Sequence, residues 1–201
     1  MVKKKQFSLI LINKEKVMKK KLALLAAVML LAGTVFAYDV PKNEEYYKSQ
    51  IQNQRFLYNT SGIVNAINKG NTEVVDYFMK AGFNPNSTFT GQPLLMYAVN
   101  YNKTECVDVL LEAGAEATSK ALFQAIFKKS SVMVNSLIKH NVDVNAKQYG
   151  MTPLNYAIRS KQPLIVEALL KAGATADDET NKLIKKSKDE YIKDLFNTES
   201  K

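Results

Sequence analysis

One interval recurs four times in this chain and constrains its fold more than any other feature. In each case an alanine precedes a glycine, or once an asparagine, by the same sixteen residues. A fixed interval of this kind is typical of a structural repeat in which each unit is one supersecondary element. The four pairs are Ala66 and Gly82, Ala98 and Gly114, Ala125 and Asn141, and Ala157 and Gly173.

The residues between the two anchors predict a pair of helices in each unit. In the second helix of the fourth unit, the apolar residues recur at the spacing of one helix face: Ile165, Val166, Leu169 and Leu170. The glycine that follows accepts the left-handed backbone that ends a helix, and Asn141 is the next best residue for it. Because a single helix pair cannot bury its apolar face alone, several pairs must stack to form a core.

The fourth unit carries the fullest motif, which begins at Gly150 and continues as Thr152-Pro153-Leu154-Asn155-Tyr156-Ala157. This motif resembles the ankyrin repeat, whose pattern at that point is T-P-L-H-x-A. The resemblance covers residues 60–176. It implies an all-α fold, an ankyrin-repeat solenoid of four helix-pair repeats plus capping helices, with short hairpin-like fingers between repeats.

The spacing of the units departs from the 33 residues of the family. Successive anchor alanines are 32, 27 and 32 residues apart. The junction at 115–120 is too short for a full hairpin finger, whereas the junctions at 83–92 and 142–151 are long enough. We therefore expect a tight turn at the short junction and a local notch in the row of fingers.

The two ends of the repeat array have the composition of caps. Residues 38–59 are predicted to be an N-terminal linker and capping helix, and residues 177–201 a C-terminal cap and tail. Both segments mix charged residues with aromatic and aliphatic ones. A solenoid needs such terminal units, with a polar outer face, to stay soluble.

Residues 1–37 are predicted to be a signal peptide. Three lysines at 19–21 precede an almost unbroken apolar run at 22–31, and Val35 and Ala37 place small or modest side chains at the −3 and −1 positions of a cleavage site. We expect the true start to be Met18 and cleavage to fall after Ala37. The protein is then periplasmic or secreted. The alternative is an uncleaved signal anchor, which makes the protein a membrane-tethered scaffold.

The net charge of +9 does not indicate a nucleic-acid partner. Eight lysines and one acidic residue lie in residues 1–37, so the rest of the chain is near +2. The basic character therefore belongs largely to the removable segment, and we expect no nucleic acid among the partners.

The sequence offers little catalytic chemistry. The single histidine, His140, lies beside a predicted helix end, and no second histidine makes a metal pair. The single cysteine, Cys106, aligns with apolar residues on the inner face of the second helices, so we expect a small buried hydrophobe. No phosphate-binding loop is found. We predict no enzyme, no cofactor and no metal; an enzyme with an unrecognised groove site stays a less favoured alternative.

The resemblance implies a protein-binding module, either an adaptor or an inhibitor, with a protein partner whose identity the sequence does not give. We expect the chain to be a monomer. Ankyrin proteins make contacts through finger tips and the exposed side of the first helices. Aromatic residues and arginine are the types that anchor protein interfaces. The matching positions predict these binding residues: Phe89, Tyr97, Asn100, Tyr101, Phe127, Tyr149, Tyr156 and Arg159.

For three of these rings, Tyr97, Phe127 and Tyr156, the competing interpretation is that they fill gaps between units. If the rings are exposed binding residues, alanine at Tyr97, Tyr101 and Tyr156 leaves thermal unfolding nearly unchanged.

Overall fold

Residues 42–197, which the computed structural model describes, form eleven helices and one two-stranded hairpin. The predicted signal segment and its cleavage site lie outside these residues. In chain order the helices are α1 (Glu44–Asn53), α2 (Thr60–Lys69), α3 (Thr72–Lys80), α4 (Leu94–Asn100), α5 (Thr104–Glu112), α6 (Ser119–Phe127), α7 (Ser131–Lys139), α8 (Pro153–Arg159), α9 (Pro163–Lys171), α10 (Asp178–Lys186) and α11 (Glu190–Asn197).

The helices form two rows. The even-numbered helices pack side by side in an inner row, and the odd-numbered helices pack in an outer row. Each inner helix also packs against the outer helix that follows it. The predicted all-α solenoid of helix pairs is therefore confirmed. Helix α1 packs against α3 of the first pair, and α10 and α11 form a fifth pair at the other end.

The four anchor alanines lie in α2, α4, α6 and α8, and each is 0% exposed. A methyl group at this site leaves room for the neighbouring helices of the inner row to approach each other. The second anchors end the outer helices as expected. Gly82, Gly114 and Gly173 have φ angles of 77°, 92° and 87°, and Asn141 adopts a φ of 59°. These are the left-handed conformations that close a helix.

Cys106 lies in α5 with its side chain 1% exposed, and burial raises the pKa of its thiol. The hydroxyl of Thr72 lies 3.8 Å from the sulfur. This is the setting of a small buried hydrophobe rather than of a reactive thiolate.

A polar cluster joins the last two inner helices. Asp177 caps α10 by accepting the backbone N–H of Thr180 at 2.9 Å. Asn155 of α8 donates to the Asp177 carboxylate at 3.0 Å and accepts the hydroxyl hydrogen of Thr180 at 2.6 Å. These donors lower the pKa of Asp177 to about 2, with Asn155 the largest contributor. The cluster fixes the terminal pair to the fourth unit.

Within residues 42–197, no helix is both long enough and apolar enough to span a lipid bilayer.

Candidate protein-binding surface

Two hairpin fingers project from the inner row. In the first finger, β1 (Thr88–Phe89) pairs antiparallel with β2 (Gln92–Pro93) between α3 and α4. The second finger, between α7 and α8, is closed by a single bridge between Gln148 and Met151, whose backbone groups exchange hydrogen bonds of 2.9 and 3.0 Å. Fingers therefore form at both of the junctions predicted to be long enough.

Each finger turns on two residues with positive φ. Thr90 and Gly91 have φ angles of 49° and 77°, and Tyr149 and Gly150 have φ angles of 53° and 77°. Positive φ at both central residues is the mark of a type I′ turn, in which Asn-Gly is preferred. Threonine and tyrosine carry a steric cost in this conformation that asparagine bears far more easily.

An asparagine holds each finger to the following repeat. The Asn86 amide donates to the Gly114 carbonyl at 3.1 Å, and its oxygen accepts the Glu116 backbone N–H at 2.8 Å. Asn145 repeats this pattern with Gly173 at 3.1 Å and Thr175 at 2.8 Å. Neither asparagine is among the predicted binding residues, although each lies four positions after a helix-ending anchor.

In the units that lack a finger, the fourth position after the helix-ending anchor is not asparagine, and its side chain caps the next helix instead. Four positions after Gly114 lies Thr118, whose hydroxyl accepts the backbone N–H of Ala121 at 3.2 Å and so starts α6 directly. Four positions after Gly173, Asp177 starts α10 in the same way. Residues 115–118 form a short irregular connection rather than the expected tight turn, and α6 has no finger in front of it, as expected.

The missing finger leaves an open recess, which we call the notch. Its volume is about 190 Å³. Phe123 of α6 and Tyr156 of α8 lie in its lining with their rings stacked, centroids 5.8 Å apart. The full lining comes from α6, the second finger and α8: Lys120, Phe123, Gln124, Phe127, Gln148, Tyr149, Met151 and Tyr156.

Three of the predicted binding residues are exposed aromatic side chains. Tyr149 is 91% exposed at the tip of the second finger, and Phe127 is 63% exposed at the end of α6. Tyr101, at the end of α4, is 51% exposed. Of these, Tyr149 has a positive φ, which raises the energy of its turn, and its exposed ring gains little packing in return. Such outliers are concentrated at functional sites.

Tyr97 and Phe89 brace the first finger instead of projecting freely from it. The Tyr97 hydroxyl donates to the Phe89 carbonyl at 3.0 Å, and it lies 2.8 Å from the hydroxyl of Thr90. The two rings also pack edge to face, with centroids 5.9 Å apart. Alanine at Tyr97 therefore removes a support of the finger, and we revise the expectation that this change leaves unfolding nearly unaffected.

The remaining predicted residues are found at the end of α4 and around the notch. Asn100 is half-buried as the last residue of α4, next to Tyr101 in the chain. Arg159 is exposed, and its guanidinium lies 3.9 Å from the sulfur of Met151 in the notch. Phe127, Tyr149 and Tyr156 meet at the notch itself. That these residues bind a partner stays a prediction.

Five lining residues are not among the predicted binding residues: Lys120, Phe123, Gln124, Gln148 and Met151. Lys120 and Phe123 precede Phe127 in α6 by seven and four residues, so helical spacing could have placed them on its face. Gln148 and Met151 enter the notch only because the finger folds back on itself, which spacing along the chain does not show.

The described residues suit binding better than acid–base chemistry. His140, the only histidine, ends α7 as its half-buried C-cap. Across 42–197, no three His, Cys, Asp or Glu side chains cluster so as to hold a metal ion. The notch itself is lined by two amides, one amine, a thioether and aromatic rings, a composition fitted to recognition.

The family model described as ankyrin repeats, in three copies, matches residues 26–121 and 116–180 of this chain. A comparison with curated proteins finds no significant match.

Proposed function

This chain belongs to the ankyrin-repeat family, and we propose that it is an exported binding module that acts on a protein partner as an adaptor or inhibitor. Ankyrin repeats are in general protein–protein interaction modules, and proteins built from them are typically not enzymes. The proposal adds export, a monomeric state, and a binding face made of the notch and the fingers.

The strained, exposed tyrosine at position 149 carries the proposal. Its ring is 91% exposed and its φ is 53°, so it contributes little to the core while raising the energy of the turn. Phe127 lies across the same notch with 63% of its surface in water. Aromatic residues in such positions supply the anchors of protein interfaces.

Export rests on the lysines at 19–21 and on the apolar run at 22–31. Mass spectrometry of the protein recovered from cells tests it, because cleavage yields a chain that begins at Tyr38. A chain that retains residues 22–31 in the membrane fraction contradicts the exported form and supports the tethered one.

Affinity capture tests the binding face. The chain, tagged at its C-terminus, is expressed in its source cells, cross-linked gently and purified from the exported fraction. The test variant combines Phe127→Ser with Tyr149→Asn. The matched control combines Val132→Ser with Leu164→Ser, because these outer-row residues are 59% and 64% exposed yet lie away from the notch.

We expect one protein to be captured by the wild type and by the control, and to be lost with the test variant. Circular dichroism must show that all three chains are folded. A protein captured equally by all three places the binding face elsewhere. A wild-type chain that captures nothing in either cellular or culture-medium fractions contradicts the proposed function.

A further inference from the structure

The notch lies in the part of the chain where positive charge is concentrated. Residues 117–166 contain one acidic residue, Asp143. The same residues contain seven basic ones: Lys120, Lys128, Lys129, Lys139, Lys147, Arg159 and Lys161. Residues 42–116, in contrast, contain six basic and eight acidic residues. The near-neutral balance of the chain outside residues 1–37 thus conceals a basic centre.

The charges nearest the notch are available to a partner. Lys120 lines the notch, Arg159 contacts its Met151 wall, and Lys128 follows Phe127 directly as the exposed C-cap of α6. None of the eight lining residues is acidic. Among the salt bridges of the described residues, none includes Lys120, Lys128 or Arg159. A carboxylate of a partner can therefore bind these side chains without first breaking one of those salt bridges.

The apolar part of the notch has the size of one side chain. Sites for drug-sized ligands enclose roughly 300–1,000 Å³, whereas the notch encloses about 190 Å³. Its lining includes the stacked rings of Phe123 and Tyr156 and the exposed rings of Phe127 and Tyr149. An aromatic or large aliphatic residue would bury its surface against all four.

We infer that the notch binds an acidic segment of a protein partner, one that inserts a single aromatic or large aliphatic residue between flanking carboxylates. The inference rests on the proposed function and names the chemistry of the partner. The apolar residue occupies the space between the rings, and the carboxylates pair with Lys120, Lys128 and Arg159. Electrostatic complementarity of this kind sets specificity and speeds encounter.

The basic residues around the notch would also attract an anionic membrane surface, but the recessed shape of the notch suits a peptide segment better. An amphipathic helix binds a bilayer by burying its exposed apolar face in the interface, whereas Phe123 and Tyr156 are recessed between α6, α8 and the second finger. A peptide segment can enter the recess with one side chain. We therefore favour the acidic segment, and vesicles are included in the test.

The test selects peptides without assuming their composition. The chain recovered from cells is immobilised and presented with a displayed library of random twelve-residue peptides. The selected peptides are synthesised, and their affinity is measured by fluorescence anisotropy. Vesicles of equal parts phosphatidylglycerol and phosphatidylcholine are tested in parallel.

Two pairs of variants separate the contributions of charge and ring. Lys120→Glu is compared with Lys139→Glu, which changes an exposed lysine at the end of the outer-row helix α7. Phe127→Ser is compared with Leu164→Ser, which changes an equally exposed apolar residue of α9.

We expect the selected peptides to be rich in Asp and Glu around one apolar residue. Their affinity should fall about tenfold or more with Lys120→Glu and with Phe127→Ser, and less than about twofold with either control. Raising the salt concentration should weaken binding, because the carboxylate contacts are exposed.

Neutral or basic peptides, acidic peptides that bind all variants equally, or a library that yields no binder would each overturn the inference. In those cases affinity capture from cells still tests the proposed function, independently of the peptide selection. Vesicle binding that is stronger than peptide binding and is lost with Lys120→Glu would overturn the inference in favour of a membrane surface.

Discussion

Replacing Tyr149 with asparagine should make this protein more stable while removing its binding. Tyr149 lies in a type I′ turn at a φ of 53°. The left-handed conformation costs an L-residue about 1–2 kcal/mol, and asparagine pays much less of that cost. The tyrosine ring is 91% exposed, so its loss removes little packing. We expect the free energy of unfolding to rise by about 0.5–1 kcal/mol, with the relief of turn strain as the cause.

For a domain of this size, each kcal/mol shifts the midpoint of thermal unfolding by about 2–4 °C. Tyr149→Asn should therefore unfold about 1–4 °C above the wild type, measured by circular dichroism at 222 nm and by urea titration. The Thr90→Asn change in the first finger is the matched control. Its gain should be smaller, because the Thr90 hydroxyl lies 2.8 Å from that of Tyr97 and this contact is lost.

A fall in unfolding free energy of about 0.5 kcal/mol or more in Tyr149→Asn would contradict the prediction that the tyrosine strains its turn. It would mean that the tyrosine ring supports the second finger and is not retained for a partner. A gain in stability with unchanged partner capture would contradict only the prediction that the Tyr149 ring binds the partner.

Three further predictions follow from single contacts. Asn145→Ala should lower the unfolding free energy by about 1–2 kcal/mol in urea titration, because its bonds to Gly173 and Thr175 are both lost; a neutral result would show that the finger does not depend on them. The pKa of Asp177 is lowered from 3.8 to about 2, so its carboxylate stabilises the fold above about pH 4 and that contribution is lost as the pH falls toward 2. Asp177→Asn should thus be less stable at pH 7 and lose less stability across that range, in urea titrations from pH 7 to 2. The buried Cys106 thiol, whose pKa is raised, should react with iodoacetamide only in denaturant, as mass spectrometry would show, whereas rapid native labelling contradicts its burial.

The repeat architecture was predictable because its physical requirements leave fixed marks in the sequence. Close approach of helices requires a small residue, and the four alanines all lie fully buried where the interval placed them. A helix that ends in a left-handed residue requires glycine or asparagine, and Asn141 adopts the predicted conformation. The notch followed from chain length alone, since the residues at 115–120 are too few to form a hairpin.

The site was less predictable because it depends on how side chains meet between units. Tyr97 occupies the same repeat position as Tyr156, yet the Tyr97 hydroxyl binds the first finger, whereas the Tyr156 ring stacks on Phe123 of α6. Nothing in the motif distinguishes these two outcomes. The close approach at Gly62, where an added Cβ would lie 1.8 Å from the Leu57 carbonyl oxygen, was likewise invisible without coordinates.

The basic centre at residues 117–166 is not visible in the net charge of the chain. The balance of charges was taken over the whole chain beyond residue 37, where acidic residues of the first two units offset the lysines of the third and fourth. Grouping the charges by repeat unit shows the asymmetry, and the structure then places Lys120 beside the aromatic lining.

Photo-cross-linking in the source cells tests the central claim, that the notch is the binding face, most directly. A photoreactive phenylalanine analogue is placed at Phe127 in one strain and at Leu164 in another, because both side chains are about equally exposed, at 63% and 64%. We expect one discrete protein adduct from position 127 and none from position 164. Adducts of equal yield from both positions, or an adduct from position 164 alone, would contradict it.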